Sequence, residues 1–238
     1  MQRILQPEML DGLPADHPAA VASRKDLRII NRLMNHVSFL NRSTRWIQDK
    51  AKKSPVRIVE LGSGDGSLAC RMLLRWGKVA TGSRILFMDQ SPCLEKNHAE
   101  PLDRLGWEVD NQVVDVFKWF EKDASEIDLC FASLFVHHFT FEEISRLFDQ
   151  LKARTKAFVC LEPRRDWKGL LAAKALWCIR CDPVTLNDAC ISVRAGFLNQ
   201  ELSQIWMQNT ETSWDMEERS AGLFSHLFSA KNLSDRSS

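Results

Sequence analysis

Between Val56 and Ser67 the chain reads V-R-I-V-E-L-G-S-G-D-G-S, an apolar run that stops at three glycines two residues apart, Gly62, Gly64 and Gly66. β-Branched residues before the glycines and a helical pattern after them predict a strand, a tight turn and a helix start. Glycine tolerates positive φ and lets a ligand approach bare backbone, so the turn is built for close contact. A dinucleotide fingerprint, G-x-G-x-x-G, needs a third glycine at position 67, where Ser67 stands. Beyond the turn the chain largely repeats the same unit, an apolar run and then a helix.

At 238 residues the chain is long enough for a large core, and a single domain is the simplest organisation. Hydrophobic residues make up 45% and charged residues 26%, a globular balance. The 32 basic and 31 acidic side chains leave a net charge of +1, which counts against a long nucleic-acid partner. Seven scattered cysteines, mostly in apolar runs, read as reduced thiols of a cytoplasmic protein. The first residues lack the basic and apolar regions of a signal peptide, and no apolar run reaches the roughly 18 residues of a membrane span. Tyrosine is absent, so the catalytic vocabulary is His, Asp, Glu, Lys, Cys and Ser.

Residues 1–17 carry Pro7, Gly12 and Pro14 and read as an irregular arm. From Pro18 to about Lys53 apolar residues fall at helical spacing, with a break near His36 to Asn41 that predicts two helices. Ser67 to Trp76 is the next helix, closed by Gly77. Ile85 to Met88 is a second strand, ending at Asp89. A carboxylate there, a little over 20 residues past the glycine turn, suits both hydroxyls of a ribose, with Gln90 beside it; a turn aspartate ahead of Ser91-Pro92 is the other reading. A helix over Ser91 to Leu105, with Pro101 inside it, leads to a third strand at Trp107 to Val114. Ile127 to Ala132 is the fourth strand. It exits through Ser133-Leu-Phe-Val-His137-His138, with a capping box at Thr140 and Glu143 beyond. Imidazole titrates near neutrality, so His137 or His138 could act as a base.

Ala157 to Leu161 is the fifth strand, ending in Glu162, and Asp166 caps a helix to about Ile179. Glu162 and Arg194 are candidate substrate contacts. Cys178 and Cys181 have C-x-x-C spacing but no second ligand pair, which disfavours zinc or redox chemistry there. Asn199 to Met207 predicts a helix. Thr212 to Glu217 and Gly222 to Ala230 predict two final strands joined by a short, hence antiparallel, connection. The sum is an α/β, doubly wound, Rossmann-like seven-stranded sheet with one antiparallel strand and helices ahead of it.

The run Glu60-x-Gly62-x-Gly64-x-Gly66 resembles the E/D-x-G-x-G-x-G signature of class I S-adenosylmethionine (SAM)-dependent methyltransferases, and the likeness extends over about residues 54–230. The resemblance implies SAM as cofactor, held by Glu60, Gly62, Ser63, Gly64, Asp65, Gly66, Asp89, Gln90 and Ser133, with Asp115 on the adenine amine and Val116 on its ring. It implies an N-terminal helical lid over residues 1–53, a SAM-binding domain over 54–238, and a substrate-binding insertion at about 163–200. The His-His after the fourth strand is similar to that of quinone and natural-product enzymes of secondary metabolism. The fourth and fifth strands end in Ser133 and Glu162 where metal-dependent catechol-type enzymes carry aspartates. The expectation is therefore metal-independent methyl transfer to an O or C nucleophile of a small phenolic, quinone-like or polyketide-type molecule. An RNA or protein acceptor is the alternative.

Overall fold

The computed structural model describes residues 1–208 and 213–233. Seven strands, β1 (Arg57–Leu61), β2 (Arg84–Asp89), β3 (Glu108–Val113), β4 (Leu129–Ser133), β5 (Ala157–Pro163), β6 (Trp214–Ala221) and β7 (Ser225–Asn232), form one sheet in the order β3-β2-β1-β4-β5-β7-β6. All neighbours are parallel except β7, which runs antiparallel to both β5 and β6. The expected reversed strand is therefore β7, inserted between β5 and β6. Thr212, expected to start the sixth strand, lies outside the described residues.

Burial follows strand position. β1, β4 and β5 are almost wholly buried and read as continuous apolar runs, as the centre of a two-faced sheet requires. The edge strands β3 (E-V-D-N-Q-V) and β6 (W-D-M-E-E-R-S-A) carry the charges, which blunt edge-to-edge pairing. Two apolar cores flank the sheet. One centres on Phe148, Phe158, Trp206 and Phe228, the other on Leu40, Ile47, Leu73, Trp76 and Phe131.

Among the described residues ten α-helices cover the faces: α1 (Pro18–Leu33), α2 (His36–Ser43), α3 (Arg45–Ala51), α4 (Ser67–Trp76), α5 (Lys96–Asp103), α6 (Val116–Lys122), α7 (Phe141–Arg154), α8 (Trp167–Ala175), α9 (Pro183–Ala195) and α10 (Glu201–Trp206). The N-terminal segment makes three helices rather than two, because Asn35 turns left-handed (φ 55°) and Thr44 leaves helical geometry. The capping box at Thr140 and Glu143 is formed. The helix expected from Ser91 starts only at Lys96. Residues 91–95 pack instead on the glycine turn: the Asp89 carboxylate takes the Ser91 N–H at 2.9 Å, and Glu95 N–H reaches the Asp65 carbonyl. α6 and α9 fill stretches in which sequence pattern alone predicts no helix.

Candidate active site

The carboxyl ends of β1, β2, β4 and β5 meet where the strand order reverses, between β1 and β4, the usual crevice of an open parallel sheet. The glycine turn sits there, with φ of 64°, 53° and 76° at Gly62, Gly64 and Gly66. The three have different reasons to be glycine. A Cβ at Gly62 would lie 2.4 Å from the Phe135 ring and one at Gly66 2.4 Å from Leu94, whereas one at Gly64 meets nothing within 4 Å. Gly62 and Gly66 thus make room for the protein, and Gly64 presents its backbone to open space.

A cavity of about 110 Å³ opens on this turn, lined by Glu60, Ser63, Gly64, Asp65 and Ser133 and covered by Arg28 of α1. Arg28 ion-pairs with Asp65 and with Glu95, so α1 is fastened across the turn. Asp89 accepts the Gly64 N–H at 2.8 Å, and Asp115 caps α6 while accepting from Gln90 Nε2 at 3.1 Å. Val116 is buried behind it. Glu60 is buried, and its Oε2 has no hydrogen-bond partner in the protein. Burial, then the neighbouring Asp65 and Asp89 charges, pushes its carboxyl well above the usual range. Ser133 Oγ lies 2.9 Å from His36 Nδ1, and His36 Nε2 lies 2.8 Å from Ser225 Oγ, which ties α2 to the ends of β4 and β7.

A second, larger cavity of about 330 Å³ lies beside the first. Its wall is mostly aliphatic, from Ile30 and Met34 of α1, Ala172 and Ala173 of α8 and Val193 of α9. Leu27 and Leu134 line both cavities, so the two share a wall. Leu134 holds φ at 55°, a left-handed conformation costing a non-glycine residue about 1 kcal/mol or more.

The polar end of the larger cavity is Glu8, from the N-terminal arm. Its Oε1 lies 3.3 Å from His137 Nε2 and accepts from Ser192 Oγ, and its Oε2 is 4.0 Å from His138 Nε2. Neither histidine lines the cavity itself; Glu8 connects them to it. His137 is buried and its Nδ1 is 2.7 Å from Glu162 Oε2. Burial alone would lower its pKa, but the hydrogen bonds to Glu162 and Glu8 and their charges outweigh burial and raise it to about 9. Burial would likewise raise the Glu8 carboxyl, yet the bond from His137 and the two histidine charges hold it below its ordinary value.

Glu162 is completely buried. Its carboxylate accepts from the N–H groups of Phe135 and Val136 as well as from His137, so it shapes the turn that carries the histidines. Arg194 is exposed and lines neither cavity; its carbonyl accepts the Ile4 N–H. Cys178 is exposed and Cys181 buried.

The arm, irregular in backbone, completes the site. Arg3 donates to the carbonyls of His137, Phe139 and Ala195, and Asp188 accepts the N–H groups of Met9 and Leu10 at 2.9 Å. Sequence reasoning points to none of Glu8, Arg3, Asp188 and His36. Asp188 is the one with a visible signal, the lone carboxylate of α9.

No protein-family model matches the sequence, and no curated protein matches it significantly. Solved structures do match in fold. The plantazolicin methyltransferase BpumL, in complex with S-adenosylhomocysteine (SAH), is 12% identical at a TM-score of 0.62, over 94% of this chain and 92% of that one. Magnesium protoporphyrin IX methyltransferase from Synechocystis, with bound SAH, is 14% identical at 0.53, over 83% of each chain. The bifunctional kinase-methyltransferase WbdD is 13% identical at 0.52, over 83% of this chain and 39% of that larger one. The fold is that of the class I SAM-dependent methyltransferases. On a class I fold the glycine turn at the sheet's switch point is the place for a nucleoside ligand, and the residues here fit SAM. Gly64 is open to a close approach, and the unpartnered Glu60 oxygen in the cavity wall suits a cationic donor.

Proposed function

We propose that the protein transfers the methyl group of SAM to an O or C nucleophile of a small apolar acceptor, phenolic, quinone-like or polyketide-type. The observation that carries this reading is the shared wall. A cavity at the glycine turn and a larger aliphatic cavity meet at Leu27 and Leu134, an arrangement that suits a donor and an acceptor side by side. SAM, when bound, supplies a methyl already activated on its sulfonium, so the protein's work is alignment and exclusion of water.

Glu60, Ser63 and Gly64 would hold the amino-acid end of the cofactor. Asp89 would accept the ribose hydroxyls, with Gln90, Asp115 and Val116 around the adenine. The turn cavity, at about 110 Å³, is below the roughly 300 Å³ of a typical small-molecule site. It would take only the sulfonium end, leaving the nucleoside along Asp89 and Asp115. Helices α1 to α3, residues 1–53 with the arm, act as the lid, and the 163–200 segment supplies α8 and α9 as the acceptor wall. An acceptor hydroxyl lying against Glu8 would donate to that carboxylate, whereas His137, its pKa raised to about 9, is already protonated at neutral pH and would hold Glu8 in place rather than take the proton. An RNA or protein acceptor is less well served by an aliphatic cavity in a chain of net charge +1.

Calorimetric titration with SAM tests the reading. Micromolar-range binding is expected, weakened at least about tenfold in Asp89→Ala with its melting temperature recorded alongside. Failure of both SAM and its demethylated product to bind the wild-type protein overturns it.

A further inference from the structure

We propose that Glu8, His137 and His138 form a binding site for a divalent transition metal such as zinc at the polar end of the aliphatic cavity. The ligand atoms of the three side chains all lie within 4.8 Å of one another, with His137 Nε2 3.3 Å and His138 Nε2 4.0 Å from the two Glu8 oxygens. A zinc ion about 2.1 Å from each donor of a tetrahedral site would hold them about 3.4 Å apart, so donors within 4.8 Å of one another need close by no more than about 1.4 Å. The outer nitrogens carry an independent signature. His137 Nδ1 faces Glu162 Oε2 at 2.7 Å and His138 Nδ1 faces Asp11 Oδ2 at 3.3 Å. A carboxylate at Nδ1 favours the tautomer whose Nε2 can bind a metal once the metal has displaced its proton, the support that metal-bound imidazoles ordinarily have. Glu162 is itself held by the Phe135 and Val136 N–H groups, and Ser192 steadies Glu8.

Two His and one Glu leave a fourth position open. Because Glu8 lines the cavity, that position faces the acceptor, whose oxygen would bind the metal and lose its proton more readily. This role rests on the methyl-transfer reading; the metal site does not. The sequence expectation of a metal-independent enzyme looks for aspartates at the ends of the fourth and fifth strands. These donors come from the arm and from the turn after β4.

The test is calorimetric titration of the full chain with Zn²⁺ after chelator treatment, with the SAM titration run on the same samples. About one equivalent should bind. His138→Ala and Glu8→Gln should each weaken it at least about 100-fold, and Glu162→Gln should weaken it by about 10–100-fold, with SAM binding changed little. His138 is partly exposed, so its variant keeps the test valid should Glu162→Gln fail to fold. No stoichiometric zinc in the micromolar range, or zinc retained by both His138→Ala and Glu8→Gln on thiols such as Cys178, overturns the assignment. Zinc bound by a chain that ignores SAM would support the site and overturn the methyl-transfer reading.

Discussion

His36 is a buried ionisable residue with no ionic partner in contact. It is fully buried between Ser133 and Ser225, and burial lowers its pKa to about 4 from an ordinary 6.5. The unfolded chain therefore binds a proton that the folded chain refuses. The stability this residue contributes is complete above about pH 6.5 and is lost as pH falls toward 4, by about 3 kcal/mol in all. Urea unfolding at pH 7.5 and pH 5 should show the drop in the wild type and a smaller one in His36→Gln. The glycines divide in a second experiment. Gly64→Ala should keep the fold at a cost of about 1–2 kcal/mol, for its left-handed φ, yet weaken SAM binding at least about tenfold. Gly62→Ala, which drives a Cβ into Phe135, should lose clearly more stability by thermal melting. The glycines and Asp89 are legible in the sequence because a ligand-facing turn needs those residue types at fixed spacing. His36 is not, because nothing local marks a histidine that bridges residues 97 and 189 positions away.

At the scale of elements, α1 is secured to the turn by one side chain, Arg28, acting on Asp65 and Glu95. Arg28→Ala should speed SAM release several-fold in stopped-flow measurements and also lower thermal stability, by about 1–3 kcal/mol, since the Asp65 carboxylate it leaves behind is buried. An unchanged release rate would show that α1 does not gate the turn. Core strands and capped helices are legible nearly to the residue, Ser67–Trp76 and the Thr140 capping box among them, because their signals are periodic or lie within one turn of helix. The segment after Asp89 misleads for the same reason. Ser91-Pro92 has the local form of a helix start, and what overrides it is tertiary, Leu94 packed against Gly66 and the Glu95 N–H on Asp65.

On the scale of the whole molecule, the sheet order places Glu60, Asp89, Ser133 and Glu162 at the carboxyl ends of its strands, and alternating strand and helix patterns suffice to anticipate it. The position of β7 inside the sheet, between β5 and β6, needs the structure, since a hairpin is equally compatible with either strand at the edge. The N-terminal arm is the least legible part. Its bonds run from Arg3 to Ala195, from Met9 to Asp188 and from Glu8 to His137, and no periodicity records contacts across so much chain. Those same contacts bear on synthesis. Residues 3–10 leave the ribosome early, but Asp188, Ser192 and Ala195 emerge only after most of the chain between them. The wall of the larger cavity can therefore close only after the five parallel strands have been made, and a chain released before then would carry the glycine turn beside an unfinished cavity.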